Sequence, residues 1–155
     1  MSGREYPARP LVGVGAVVLK PEAALLVRRG RPPAMGQWSI PGGAQRVGET
    51  AEAGVRRELG EETGLAVGAL RLVAHVDSIH RDTDGRVQYH YTILDFAAMW
   101  AGGEPVAGGD VVEARFVAFG EFEAYGLWDE ARRVIEAARG LLSSGGGGTG
   151  TAVPS

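Results

Sequence analysis

The sequence predicts an α+β fold built around a mixed β-sheet. Three observations predict it. Several short segments are apolar and β-branched, one helical segment interrupts them before the middle of the chain, and an amphipathic helical segment follows the last of them. The 155 residues, of which 45% are hydrophobic and 23% charged, suffice for one globular core and exclude a disordered or fibrous chain.

The first part of the chain predicts two strands followed by a loop. Residues 11–19, LVGVGAVVL, are β-branched and apolar with interspersed glycine, which is typical of a largely buried strand. Residues 24–28 return as a second short strand. Residues 30–33 and the glycine-rich passage 38–43 are expected to be loop.

The first helix is predicted over residues 51–62. Thr50 is a residue type favoured at the N-cap, and Gly64 stands just beyond the predicted C-terminal end, where glycine is favoured. The capping residues therefore delimit the helix at both ends.

The second half of the chain predicts a hairpin. Residues 70–79 and 87–100 have the composition of strands. Asp84-Gly85 between them is a strong signal for a short turn in which both central residues take positive φ.

A further strand and a helix end the predicted domain. Residues 111–119 form the strand, and residues 128–142 place apolar side chains at helical spacing. We therefore assign residues 1–142 to a single domain. Residues 143–155, SSGGGGTGTAVPS, have almost nothing to bury and are expected to be a flexible tail.

Charge and composition exclude several classes of function. The formal charge is −3 with no clustered basic run, so binding to a nucleic acid polymer is not expected. The absence of cysteine excludes disulfides and thiolate metal sites. The first residues lack the apolar core of a signal peptide, and no apolar stretch is long enough to span a bilayer. We expect a cytoplasmic protein without membrane contact.

The chemistry is predicted on the first helix. Glu58, Glu61 and Glu62 stand at i, i+3 and i+4, so they share one face and repel one another. For such a triplet alone, a solvated acidic face is the better interpretation. Arg57, which can pair with Glu61 or with Glu49, and the Pro41-Gly42-Gly43 loop before the helix favour a built site. A hard divalent cation such as Mg²⁺ would stabilise the carboxylates.

These residues carry a family resemblance. Residues 43–65 read GAQRVGETAEAGVRRELGEETGL and resemble the Nudix hydrolase box at every specified position. The resemblance implies the Nudix fold, an α/β/α sandwich in which the box helix and a C-terminal helix pack on a curved mixed sheet. It also implies hydrolysis of a nucleoside diphosphate linked to another group X.

The resemblance assigns roles within the box. Glu58, Glu61 and Glu62 would bind Mg²⁺, or Mn²⁺ as a substitute, with a backbone carbonyl at Gly42. Glu49 would orient Arg57 and the box loop. These roles imply attack on phosphorus by a metal-activated water.

Outside the box the resemblance leaves alternatives open. The general base would be a box glutamate or an acid of a later loop, where Asp110 and Glu113 are the candidates. Arg28 and Arg29 would contact substrate phosphate or end a solvated strand. Trp38 would stack on a base or pack in the core.

The substrate is predicted from a looser likeness. The run GxWSxPGG…GET is most similar to short bacterial ADP-ribose pyrophosphatases, which favours ADP-ribose or a related ADP-sugar. The alternative is a house-cleaning hydrolase of modified or oxidised nucleoside triphosphates. A non-catalytic nucleotide-sensing module is a remote alternative, because the box is intact. The resemblance also makes a homodimer a reasonable expectation.

Overall fold

The computed structural model describes residues 4–32 and 34–144 of the chain. Seven strands and two α-helices follow one another in an α+β order, with a 3₁₀ helix at Phe119–Tyr125 before the second α-helix. Their bounds are β1 Leu11–Lys20, β2 Ala23–Arg29, β3 Trp38–Ser39, β4 Gly42–Ala44, α1 Ala51–Thr63, β5 Arg71–Arg81, β6 Val87–Met99, β7 Val111–Ala118 and α2 Asp129–Ser144.

Strand β1 lies at the centre of a mixed sheet. On one side it pairs in parallel with β6, which pairs antiparallel with β5. On its other side β1 has two partners, because β2 pairs only at the hairpin end and β4 pairs with the N-terminal half. Strand β2 continues the sheet through antiparallel pairing with β3 and β7. This division of β1 brings the glycines of β4 against the middle of the sheet.

The two helices pack on opposite faces of this sheet. Alternate residues of a strand point to opposite faces, and β1 supplies apolar side chains to both. We call the two sides the α1 face and the α2 face. The α1 face is formed by Val14, Ala16, Val18 and Leu25 packed with Val55 and Leu59. The α2 face is formed by Val17, Leu19 and Leu26 packed with Val134, Ile135 and Ala138. The α/β/α sandwich is therefore confirmed.

The turn between β5 and β6 differs from the predicted one. Gly85 has a φ of 83°, but Asp84 is not in the left-handed region. The loop closes instead on Asp82, whose carboxylate accepts hydrogen bonds from the backbone N–H groups of Asp84 and Arg86 at 2.9 and 3.0 Å. Because this side chain holds the turn, only one residue needs positive φ, and the prediction for Asp84 was wrong.

Other departures from the sequence prediction are small. The predicted loop at residues 38–43 contains β3 and the start of β4, which are too short and glycine-rich to show strand periodicity. Helix α2 continues to Ser144, beyond the predicted end at 142. The rest of the predicted tail, residues 145–155, lies outside the described residues. Within the described ranges, none of the helices has the length and apolar character needed to cross a membrane.

Candidate active site

The capping residues of α1 determine where its acidic side chains lie. Thr50 Oγ1 accepts a hydrogen bond from the Ala53 N–H at 3.0 Å, and Gly64 ends the helix with a φ of 71° and an N–H bonded to the Gly60 carbonyl. Val55 and Leu59 are buried against the sheet. The glutamates of the C-terminal half are thereby directed along the edge of the helix, toward β4.

An arginine–carboxylate fork fixes the segment before the helix. Arg57 donates to both oxygens of Glu49, from Nε at 3.0 Å and from Nη2 at 2.7 Å. Glu49 also accepts from the Arg46 N–H at 2.8 Å. The Arg57 hydrogen bonds lower the pKa of Glu49 to about 2, and the Glu49 contact raises the pKa of Arg57. This pair anchors the loop between β4 and α1 in one position, as charge-assisted bidentate bonds do.

Arg57 also neutralises part of the acidic cluster. Its Nη1 lies 2.9 Å from Glu58 and 3.4 Å from Glu61, while Nη2 donates to the Ala44 carbonyl at 2.9 Å. Both Arg57 and Glu58 are mostly buried, with 17% and 15% of their side chains exposed. Glu61 is 46% exposed and also faces Arg46 at 3.6 Å. One guanidinium therefore holds the helix, the β4 backbone and two carboxylates together.

The two glycines of β4 make room for this arrangement. A Cβ on Gly42 would overlap the Val14 carbonyl of β1, and a Cβ on Gly43 would overlap the Glu58 carboxylate. In an antiparallel pair, N–H and C=O of one residue point to the same side. Gly42 turns its N–H away from β1, where it donates to Glu62 Oε1 at 2.8 Å. The Gly42 carbonyl consequently points toward the same side as the acids.

Burial changes the acidity of Glu62. Its position beneath the glycine turn raises its pKa to about 7, and the negative charges of Glu58 and Asp110 add to this effect. The Gly42 hydrogen bond and the charge of Arg29 oppose it. Glu62 is thus a half-buried carboxylate whose ionised form needs positive charge nearby.

A later loop closes over the C-terminal end of α1. Val106 N–H donates to the Thr63 carbonyl at 2.9 Å and Gly108 N–H to the Glu62 carbonyl at 3.1 Å. A Cβ on Gly108 would clash with the Glu61 carbonyl. Because helix ends leave carbonyls without intrahelical partners, this loop satisfies them. The same contacts bring Asp110 beside α1.

A pocket of about 110 Å³ forms where these elements meet. Its charged lining consists of three carboxylates and two arginines, namely Glu58, Glu62, Asp110, Arg4 and Arg29. Gly42, Gly43 and Ser39 contribute to the wall. The pocket combines oxygen donors for a cation with guanidinium groups for an anion.

The structure brings together only some of the residues singled out in the sequence. Gly42, Glu58, Glu62, Arg29 and Asp110 line the pocket. Glu49 and Arg57 lie behind it and position it, and Glu61 lies on the same helix at its exposed edge.

The other three residues singled out in the sequence lie on the α2 face, namely Arg28, Glu113 and Trp38. Arg28 pairs with Glu113 at 2.8 Å, and Glu113 also binds Arg115 at 3.0 Å. Trp38 packs edge-on against Tyr125 with ring centroids 4.9 Å apart, and its ring lies against the Arg115 guanidinium. The structure therefore separates Arg29 from Arg28, because alternate strand residues face opposite sides. It also separates Asp110, in the turn before β7, from Glu113 within that strand.

The donors fit a divalent cation. No group of three or more His, Asp or Glu side chains in residues 4–32 and 34–144 converges closely enough to hold a metal as it stands. The reason is that Arg57 engages Glu58 and Glu61, while Gly42 engages Glu62. The available ligands are nevertheless all hard oxygens on one side of α1, and Glu62 lacks a full countercharge. Mg²⁺ prefers such carboxylates and retains several waters.

Sequence reasoning missed one residue of the site. Arg4 lines the pocket although nothing in its local sequence indicates this. Gly54 makes room for a neighbouring side chain, since a Cβ there would lie 3.0 Å from Glu49 Oε1. A glycine inside a helix is costly and indicates a packing reason, which the structure identifies as the Glu49 carboxylate.

A family model and individual relatives resemble this chain. The model of the NUDIX domain matches residues 9–138. An ADP-ribose pyrophosphatase from Methanocaldococcus jannaschii is 39% identical over 107 residues, 69% of this chain and 61% of the relative. An oxidized purine nucleoside triphosphate hydrolase from Mus musculus is 43% identical over 60 residues, 39% of this chain and 38% of the relative. The match thus spans less than two thirds of either relative.

A solved structure has the same architecture. The crystal structure of a MutT NUDIX hydrolase from Burkholderia pseudomallei superposes with a TM-score of 0.71 at 30% sequence identity. The superposition covers 83% of this chain and 98% of that one. The likeness therefore extends over nearly the whole of a known hydrolase domain.

Proposed function

The chain belongs to the Nudix family, and we propose that it is a Mg²⁺-dependent hydrolase of the diphosphate bond in a nucleoside diphosphate linked to X. The single observation that carries this proposal is the pocket in which Glu58 and Glu62 meet the Gly42-Gly43 turn and Arg29. A pocket that offers both carboxylates and a guanidinium suits a metal-complexed phosphate better than a free anion or a free cation.

We assign each residue a separate role in hydrolysis. Glu58, Glu61, Glu62 and the Gly42 carbonyl would hold the cation, which lowers the pKa of a bound water and polarises phosphoryl oxygens. Arg29 would bind phosphate oxygens at the end of β2. Arg57, fixed by Glu49, keeps Glu58 in place before substrate arrives. Mn²⁺ would substitute for Mg²⁺, since both take oxygen ligands.

Asp110 is the better placed candidate for the general base. It lines the pocket with Glu58 and Glu62, whereas Glu113 is held between Arg28 and Arg115 on the α2 face. Both carboxylate oxygens of Glu113 are engaged by these guanidinium groups, and Glu113 does not line the pocket. A proton from the attacking water would therefore pass to Asp110 or to a glutamate of α1.

ADP-ribose or a related ADP-sugar is the proposed substrate. The similarity to an ADP-ribose pyrophosphatase over 69% of the chain supports it. Cleavage would add water between the two phosphates and release AMP and ribose 5-phosphate. The shorter similarity to an oxidized purine nucleoside triphosphate hydrolase supports the second candidate, hydrolysis of modified triphosphates with release of pyrophosphate.

A nucleotide panel with Mg²⁺ tests both candidates. We expect kcat/KM for ADP-ribose to exceed the values for canonical and oxidised dNTPs, because this ratio measures differential binding of transition states. A preference of about tenfold for any dNTP, corresponding to about 1.4 kcal/mol, would identify triphosphates as the substrates in place of ADP-ribose. No turnover of any diphosphate would leave the nucleotide-sensing module as the better description.

Two further expectations remain predictions. The cytoplasmic location is expected from composition, and the homodimer is expected from the resemblance. Fractionation and light scattering, respectively, measure them.

A further inference from the structure

Arg4 reaches the pocket from a part of the chain that precedes the first strand. It lines the same pocket as Glu58, Glu62, Asp110 and Arg29. Two arginines at the end of β2, Arg28 and Arg31, pair with carboxylates that are not among the proposed metal ligands. Arg28 is held by Glu113, and Arg31 pairs with Asp110 at 3.1 Å. Arg4 adds a positive charge to this lining from the N-terminal segment.

The two residues after Arg4 are fastened to the β5–β6 hairpin. Glu5 Oε1 accepts a hydrogen bond from the Tyr89 hydroxyl at 2.7 Å. The Tyr6 hydroxyl donates to Asp82 Oδ2 at 2.7 Å, and its backbone N–H donates to the Gln88 carbonyl at 2.8 Å. The Arg86 guanidinium lies 4.4 Å from the centre of the Tyr6 ring. Four contacts thus hold a short segment that has no regular secondary structure.

The contacts of Tyr6 hold its backbone in an unusual conformation. Its φ is 50°, in the left-handed region, which is unfavourable for a non-glycine residue. Such a conformation persists only where the surroundings determine it. The hydroxyl, the N–H and the ring of Tyr6 all have partners on the hairpin, so the chain is fixed two residues after Arg4, which lines the pocket.

We propose that Arg4 is a second phosphate-binding arginine of the pocket, and that Glu5 and Tyr6 are positioning residues that hold it there. The ligand is the diphosphate group of a Mg²⁺-complexed nucleotide, so the inference rests on the proposed function. The two guanidinium groups that line the pocket beside the carboxylates are those of Arg29 and Arg4. A guanidinium binds phosphate oxygens in a bidentate manner.

Steady-state kinetics test the role of Arg4. Arg4→Ala should raise KM for the preferred diphosphate substrate about tenfold, as expected for loss of one charge-assisted contact, and leave kcat within about twofold. Arg4→Lys should recover part of the loss, because it keeps the charge and loses the fork. Arg9→Ala is the matched control, since Arg9 is an exposed arginine of the same segment outside the pocket. Equal kinetics for Arg4→Ala and Arg9→Ala would overturn the proposal.

A double-mutant cycle tests the positioning role. Tyr6→Phe removes the hydroxyl bound to Asp82 and keeps the ring. It should raise KM by about threefold in the wild-type background and have no effect in the Arg4→Ala background, because its action passes through Arg4. The same rise in both backgrounds would mean that Tyr6 does not position Arg4.

A binding measurement separates this inference from the proposed function. Titration of the protein with inorganic pyrophosphate and Mg²⁺ in a calorimeter needs no turnover. Weaker binding by Arg4→Ala than by Arg9→Ala supports the phosphate contact even if no nucleotide is hydrolysed. Unchanged binding, or no binding by the wild type, overturns it.

Discussion

The carboxylate of Glu58 occupies the space in which a side chain on Gly43 would begin. This contact packs the glycine turn of β4 against the acidic face of α1. Arg57 stabilises it by donating hydrogen bonds to Glu58 and to the Ala44 carbonyl. The absence of a side chain at Gly43 is therefore part of the site.

Gly43→Ala should separate activity from stability. The added Cβ meets only the end of the flexible Glu58 side chain, so the fold should persist. Displacing a proposed ligand by about 1 Å should lower kcat roughly 10- to 100-fold.

Gly42→Ala is the contrasting variant, because its Cβ meets the Val14 backbone, which cannot move aside. We expect it to lose more than about 2 kcal/mol of unfolding free energy. Thermal melts and kcat measured together check both, and full activity of Gly43→Ala would contradict the assignment of Glu58.

Mg²⁺ should stabilise the protein through Glu62. A ligand that binds only the folded state raises the melting temperature, and Glu62 is a half-buried acid in need of positive charge. Glu62→Gln should lose most of the Mg²⁺-induced shift and at least about 100-fold in turnover. Chelation of the metal should abolish turnover of the wild type.

Glu52→Gln supplies the control for this experiment. Glu52 is an exposed acid in the first turn of the same helix. The Glu52→Gln variant should keep both the Mg²⁺-induced rise in melting temperature and the turnover. An equal loss in the Glu52→Gln and Glu62→Gln variants would show a general charge effect instead of a metal site.

Asp110 and Glu113 should respond differently to neutralisation. Asp110→Asn removes an acid of the pocket and should lower kcat by about 10²- to 10⁴-fold if it is the general base. Glu113→Gln breaks the contacts with Arg28 and Arg115 on the α2 face and should leave kcat within about twofold, since an exposed ion pair contributes about 0–1 kcal/mol. The pH dependence of kcat measures the base directly, and the reverse order of the two effects would assign that role to Glu113.

Asp95 should make stability depend on pH. It is 4% exposed beside Gly15 on the α2 face, and burial together with the charge of Glu130 raises its pKa to about 6. The folded state therefore holds this proton more tightly than the unfolded chain, whose pKa is near 3.8. The contribution to stability is present below about pH 4 and falls as the pH rises to about 6.

Asp95→Asn removes this dependence. The variant should match the wild type near pH 4 and exceed it at pH 7 by about 1–3 kcal/mol, the upper value being the full shift expressed as energy. Denaturant unfolding at several pH values checks it. A variant that is less stable at every pH would show that the carboxylate makes a hydrogen bond on which the fold depends.

Sequence reasoning succeeded where the signal is local. Helix α1 begins at Ala51 and carries a Thr50 cap and a Gly64 end as predicted, because capping depends on residues within one turn. The two-sided burial of β1 followed from its continuous apolar run. The Asp84 prediction was wrong because the Asp82 side chain, and not the dipeptide, shapes the turn.

The sequence by itself determined the family, through the resemblance of residues 43–65 to the Nudix box, and the α+β order of elements, through strand and helix periodicity. Both signals are local in sequence. Only the tertiary structure decided which residues share the pocket. Arg28 and Arg29 are neighbours in sequence but lie on opposite faces of the sheet, whereas Arg4 joins Arg29 across the chain. The physical reason is that strand pairing and the fastening of the N-terminal segment are contacts between distant residues, and no local pattern encodes them.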